Sequence, residues 1–428
     1  MKLNTKSVVG IAVVAIGVIA GIYTMTSKQT SPGVSERSAG QLQPGAVLPT
    51  GHPVINGVDG AGATDGQESV AAANQSKSGV VSEKSDAKFS HFRVGNRNVK
   101  SIFADGKVIW VGTSGGVIRY DTGTDEFKLF DVSSGLLSNG IFSVGKLDGR
   151  IALGTYGGGL SLYDQAKDTW ENFNVPDGLG DAFIYKTLKA SNGDVWIATW
   201  SGANRIRGGN LRDRTKWDIF TVENTNGGLP NDWVYSLEEG KHGEIWLATE
   251  GGLARFKDEK WQNWNHSKGV GASFEKVKND PQFGTDPSKL SEHHARQAKE
   301  MGLEGVSGGG AYNPNYIVSL QVDRDGVVWC GTWGGGLARF DGKKWRNYTV
   351  ADGLPGNHVF SLHVDPSGKL WVGTNNGLAR YDSGKFKVAT TEDGLYSNTI
   401  FSMATAPDGD QWIGHFGGVT HLISPKNK

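Results

Sequence analysis

Cysteine is all but missing from the 428 residues: Cys330 stands alone, which excludes an internal disulfide, a CxxC redox pair and a CxxCH haem attachment. Excess charge of either sign is missing too. With 44 basic residues against 44 acidic ones, interspersed, there is no broad footprint for nucleic acid or another polyanion. No Ser-His-Asp arrangement, HExxH motif or carboxylate pair recurs at a recognisable spacing, so catalytic residues, metal ligands and cofactors are not expected. Aromatic residues nearly vanish between Ser27 and Lys84, where Gly, Ser, Ala and Gln dominate. Such a stretch cannot bury enough apolar surface to offset its ordering entropy and reads as a flexible linker over residues 27–84.

Long apolar runs are absent except for one, Val8 to Tyr23, preceded by Lys2 and Lys6. It reads as a signal anchor or signal peptide over residues 1–26, with the N-terminus on the cytoplasmic side. Gly21-Ile22-Tyr23 is a poor small-x-small cleavage site, which favours an uncleaved anchor, and no cysteine follows the run to carry a lipid.

What the chain has in quantity is glycine, 63 residues, and tryptophan, 14, a profile of short strands joined by tight turns. A phrase of the form W-[VIL]-[GA]-T-x-G-G-x-x-R-[YF] returns seven times, centred on Trp110, Ala152, Trp196, Trp246, Trp329, Trp371 and Trp412. Most intervals are about 41 to 50 residues, the length of one four-stranded propeller blade. Within each copy an apolar strand such as Val359 to Leu362 precedes a turn such as Asp365 to Gly368, then the Trp strand, a Gly-rich turn, the Arg strand and an aromatic-led fourth strand. The seventh copy ends without a fourth strand, while Lys88 to Phe92 matches that pattern ahead of the first. Residues 85–428 therefore predict an all-β, seven-bladed β-propeller in which Lys88 to Phe92 pairs with Val419 to Leu422 and closes the last blade.

Segments such as Asp352-Gly353-Leu354-Pro355-Gly356-Asn357-His358-Val359-Phe360-Ser361-Leu362, followed by Leu370-Trp371-Val372-Gly373-Thr374, resemble the two-component regulator propeller repeat of periplasmic sensor regions in hybrid kinases. The resemblance runs over roughly Lys88 to Ser424. It implies a propeller facing the periplasm or cell exterior, carried on a single-pass bacterial inner-membrane anchor or secreted to the periplasm after cleavage. With the chain stopping at Lys428, kinase activity is not carried over.

In a propeller the turns between second and third strands gather on one face around the channel. There the residue after the repeat Thr varies most: Ser114, Tyr156, Trp200, Glu250, Trp333 and Asn375, with His415 and Phe416 in the seventh copy. Tyr156, Trp200, Glu250, Trp333, Asn375, His415 and Phe416 are the candidate ligand-binding residues, weighed against a packing role at the strand ends. An insertion over residues 265–314, with a helix expected from Ser288 to Met301, should lie over this face as a lid, a docking element or decoration. His293 and His294 there lack metal-ligand spacing, and Asp323 to Gly326 reads as a β-turn. The recurring Arg119, Arg205, Arg255, Arg339 and Arg380 read as blade architecture, and Cys330 as a buried, inert thiol. The expected function is non-catalytic recognition of a small ligand or an envelope protein, with no nucleic-acid partner. A propeller lyase or hydrolase using Glu250 and His415, and an envelope scaffold, are the alternatives.

Overall fold

The computed structural model of the chain describes residues 89–280 and 312–424. The anchor, the linker, the helix expected over Ser288 to Met301, and His293 and His294 lie outside the described residues. Among the described residues there are twenty-seven strands, one four-residue α-helix and several single-turn 3₁₀ segments. Five antiparallel sheets have four strands each and a sixth has seven, which makes this a propeller of repeated four-stranded sheets.

One repeat shows why these residues fold this way. Strand Val359–Val364 is joined to Leu370–Thr374 by a turn ending in Gly368 at φ 84°, and Leu370–Thr374 to Gly377–Asp382 by a turn whose Gly377 adopts φ 135°. Positive φ of this kind is strained for residues with a Cβ, hence the glycines. Lys385–Ala389 completes the sheet. Next comes a 3₁₀ turn over Thr391–Asp393 in which Thr390 and Asp393 form a capping box and Gly394 exits at φ 108°. The same box recurs at Asp131, Asn174 and Thr349, so the Asp-Gly-Leu phrases are the connections from one sheet to the next.

The fixed letters of the repeat hold the sheet together. In the turn after Val364, Asp365 accepts from Ser367 N at 2.8 Å, Lys369 N at 3.0 Å and Trp371 Nε1 at 2.9 Å. Asp323 does the same for Asp325 N, Val327 N and Trp329 Nε1, so the Asp323 to Gly326 stretch is a β-turn. Five repeat tryptophans face the recurring Arg across the ladder, as in Trp371 opposite Arg380, whose guanidinium lies 5.5 Å from the indole centre, while Trp412 faces His421. The repeat Thr donates to the carbonyl that closes the next turn, as Thr374 Oγ1 does to Gly377 O at 2.8 Å. Cys330 is fully buried among Ile317, Leu320 and Ala338, and burial holds its thiol far above the usual range.

Burial pushes the Asp365 carboxyl up, but hydrogen bonds from Ser367, Trp371 and the turn backbone outweigh it and leave the group below its ordinary value. A pKa lower in the folded chain than in the unfolded one gives stabilisation that is complete above the unfolded value, about 3.9, and is lost as pH falls below it. Asp365→Asn, which turns an amide donor toward a donor, is expected to cost about 1–2 kcal/mol at pH 7. That cost should shrink toward pH 3, below the unfolded value, where protonation of the unfolded chain draws down the wild type's advantage. Chemical denaturation at the two pH values checks this, and an equal cost at both would refute the charge-based account.

The seven-stranded sheet comes from the strand Phe89–Asp105 serving two sheets. Its first half pairs Phe89 with Leu422 and Phe92 with Val419, the closure predicted from the repeat pattern. Its second half pairs Ser101 with Gly112 and Phe103 with Trp110. Innermost strands Phe89–Asp105, Ile141–Leu147, Ile184–Lys189, Val234–Glu239, Asn313–Val322, Val359–Val364 and Ser402–Thr405 touch in that order, and the last touches the first. Serines bond neighbouring sheets together: Ser319 Oγ donates to Val359 O at 3.1 Å, Ser361 Oγ to Ile400 O at 3.3 Å and Ser402 Oγ to Val99 O at 2.9 Å.

Candidate functional site

The innermost strands do not run regularly past the channel. Six of them break register at the same step, between Val99 and Ser101, Ile141 and Ser143, Ile184 and Lys186, Val234 and Ser236, Ile317 and Ser319, and Val359 and Ser361. The residue skipped is Lys100, Phe142, Tyr185, Tyr235, Val318 or Phe360, and Phe401 stands at the same place before Ser402. A bulge frees one residue from the ladder and re-aims its side chain. All seven line one cavity of about 180 Å³, together with Tyr316. A second cavity of about 280 Å³ shares many of these residues and adds the serine row and Lys186, Thr187 and His363.

The predicted turn residues stand behind this collar and buttress it. Tyr156 lies 5.3 Å from the Phe142 ring and Trp200 3.9 Å from Trp233. Trp333 stacks on Tyr316 at 5.4 Å and reaches Phe360 at 5.8 Å. Rings thus follow one another around much of the channel. Tyr156, Trp200, Asn375 and Phe416 remain partly exposed. Trp333, at 1 % exposure, Glu250, at 3 %, and His415, at 0 %, do not, so the expectation of an open ring of contacts is corrected at these three positions. Tyr316, His358 and Phe360 cover Trp333, and Tyr396, Thr399 and Thr420 cover His415. Burial, and after it the charge of Glu250, hold the phenols of Tyr235 and Tyr316 well above their ordinary value.

His415 also departs from the acid-base role weighed for it. It occupies the slot of the repeat Thr, its backbone N–H bonding to Gly418 O at 2.9 Å. Burial pushes its pKa down to about 4, so the ring is neutral. Nδ1 donates to Thr399 O at 3.2 Å and Nε2 accepts from the Thr420 hydroxyl at 2.9 Å. Both nitrogens are bonded within the protein and the ring is fully buried, away from any open surface.

The insertion leaves from this face. Ala272 N donates to Gly335 O in the turn beyond Trp333, Tyr312 Oη donates to Ala272 O at 2.7 Å, and Asp280 accepts from Asn357 at 2.7 Å. Sequence reasoning passed over the collar itself. Its signal was present as the variable letter between a fixed aliphatic residue and, in most copies, a serine.

Comparison with known proteins agrees with the geometry. The profile described as two component regulator propeller matches residues 228–251, 311–334 and 353–376. No curated protein sequence matches the chain. Among solved structures, the extracellular domain of a putative hybrid two component system from B. thetaiotaomicron, BT3049, is similar at TM-score 0.56 and 17% identity, over 77% of this chain and 40% of that one. The extracellular domain of BT4673 from the same organism gives 0.57 and 19%, over 79% and 40%. This chain therefore spans 40% of the length of either. Virginiamycin B lyase from Staphylococcus aureus gives 0.54 and 11%, over 79% and 99%. At these identities the likeness is one of fold.

Proposed function

We propose that this chain, which carries two component regulator propeller repeats at residues 228–251, 311–334 and 353–376, is a non-catalytic, seven-bladed recognition propeller working outside the cytoplasmic membrane. The observation that carries the reading is the collar: six bulges, with Phe401 at the equivalent place of the seventh inner strand, turn side chains into a shared channel that no catalytic constellation occupies among the described residues. Seven copies of the repeat and the closed order of inner strands support seven blades. The charged start and apolar run of residues 1–26 support an N-terminal membrane anchor, with 27–84 as its flexible tether. No helix among the described residues is long and apolar enough to cross a membrane. The similar B. thetaiotaomicron structures are titled extracellular domains, which favours the same placement here.

Ligand or protein partner would approach over the face bearing Tyr156, Trp200, Asn375 and Phe416, beside which the insertion leaves the ring. Trp200→Ala is expected to lower recovery of cross-linked partner or ligand from native membranes by about tenfold or more, as loss of an aromatic anchor does. The melting temperature should move little, because Trp200 is partly exposed. Affinity capture with mass spectrometry reads the first quantity, and calorimetry the second. Unchanged recovery in both Trp200→Ala and Tyr156→Ala would remove this face from the reading.

A further inference from the structure

We propose that the central channel holds a small organic monocarboxylate, one six-membered ring in size, with its carboxylate on the Lys100 ammonium and its ring among the aromatic collar residues. The assignment rests on the recognition reading above and names the ligand class. Of the channel's two lysines, Lys186 is neutralised by Glu238 at 2.5 Å and steadied by Ser236 Oγ at 3.5 Å. Lys100 is not: among the described residues no carboxylate or carbonyl lies within ion-pair or hydrogen-bond reach of it, and its ammonium rests 5.4 Å from the centre of the Phe401 ring. Lys100 is half-buried in the channel, where a cation among rings without a counter-charge loses part of its hydration, and an anion supplied by a ligand offsets that loss. Burial alone pushes Lys100 down to about 8, which still leaves it mostly protonated at neutral pH.

Size and shape select the rest of the ligand. A dry cavity of about 150 Å³ accepts one benzene ring, and this one measures about 180 Å³. Phe142, Tyr185, Phe360 and Phe401 offer ring faces and edges to a flat or weakly puckered body, and Val318 leaves room on the remaining side. With a single unpaired cation, one carboxylate fits better than a multiply charged anion. Lys100 is also placed by a bulge, so its side chain enters the channel without loosening the ladder on either side.

The test titrates the full-length protein with benzoate, cyclohexanecarboxylate and the neutral isostere benzamide by isothermal calorimetry, up to about 10 mM. Benzoate is expected to bind at least about tenfold more tightly than benzamide, the worth of one charge-assisted hydrogen bond. Lys100→Met should abolish the difference and Lys100→Arg should restore much of it. The apolar Val318 at the equivalent bulge indicates that Lys100→Met folds, and an unchanged melting temperature verifies this. If cyclohexanecarboxylate binds as well as benzoate, the carboxylate site stands and the ligand body is a saturated ring. Equal affinity for benzoate and benzamide, discrimination that survives in Lys100→Met, or no binding of either carboxylate would overturn the proposal. Retention of a Trp200-dependent partner by a protein that ignores both carboxylates would overturn this site and leave the recognition reading intact.

Discussion

Deleting residues 89–94 from the full chain is expected to abolish the cooperative melt and to drive association into larger species than the intact chain forms. The deletion strips the outer partner from Phe416–Leu422, exposing a full edge in a molecule whose remaining inner strands form a closed order. It also removes Phe92, which stacks on Trp412 at 5.4 Å and meets Tyr120 at 5.0 Å, and Phe89, which pairs with Leu422. Truncating one fully buried Phe costs about 3–5 kcal/mol, and Phe89 and Phe92 are each half-buried. Losing both with their ladder is worth on the order of 5 kcal/mol or more, comparable to the whole net stability of an ordinary domain. Arg93→Ala, which alters an exposed side chain in the same segment, should leave the melt nearly unchanged. Calorimetry and size-exclusion chromatography give the answer. An unaltered melting temperature and elution volume after the deletion would mean that closure contributes nothing.

Gly331→Val carries the second large effect. A Cβ built at Gly331 stands 2.5 Å from the carbonyl oxygen of Val359 in the adjacent sheet and 2.7 Å from Val359 Cγ1. Neither atom can yield without moving the inner strand that Ser319 fastens by its bond to Val359 O. Overpacking of this kind costs about 1–3 kcal/mol when side chains absorb it and more when backbone must move. A loss of about 4 kcal/mol and a fall of roughly 8 °C in melting temperature are expected. Ala198 and Ala248 occupy the same position in two other sheets and are fully buried. There the neighbouring strand leaves room for one methyl, so Ala248→Gly should be mild. A Gly331→Val melting temperature within about 2 °C of the wild type would show that the sheets can separate freely.

These positions explain how much was legible beforehand. Repeat Trp, Thr, Gly and Arg read correctly as architecture because their roles are local: each contacts a strand or turn a few residues away, and the spacing recurs in every copy. The closing strand was legible because a repeat missing its last part at one end carried that part at the other. The site was only half legible. Turn residues were found by their variability, but variability does not report depth, and Trp333, Glu250 and His415 are buried. His415 misled for the same reason, since a histidine in the Thr slot reads as chemistry until its ring is seen to be fully buried. Lys100 escaped because an alternating strand pattern assigns each residue to one sheet face or the other, and a bulge residue belongs to neither.

The bulges also bear on how such a ring can change over generations. Lys, Phe, Tyr and Val already coexist at equivalent bulges of one chain, with paired residues on both sides of each. A mutation there alters what the channel accepts while the ladder that keeps the protein folded is untouched. Most substitutions elsewhere would face purifying selection for stability, whereas the collar can drift among chemistries at little risk. One scaffold can therefore diversify into receptors for unlike molecules through single-residue exchanges, without ever passing through an unfolded ancestor.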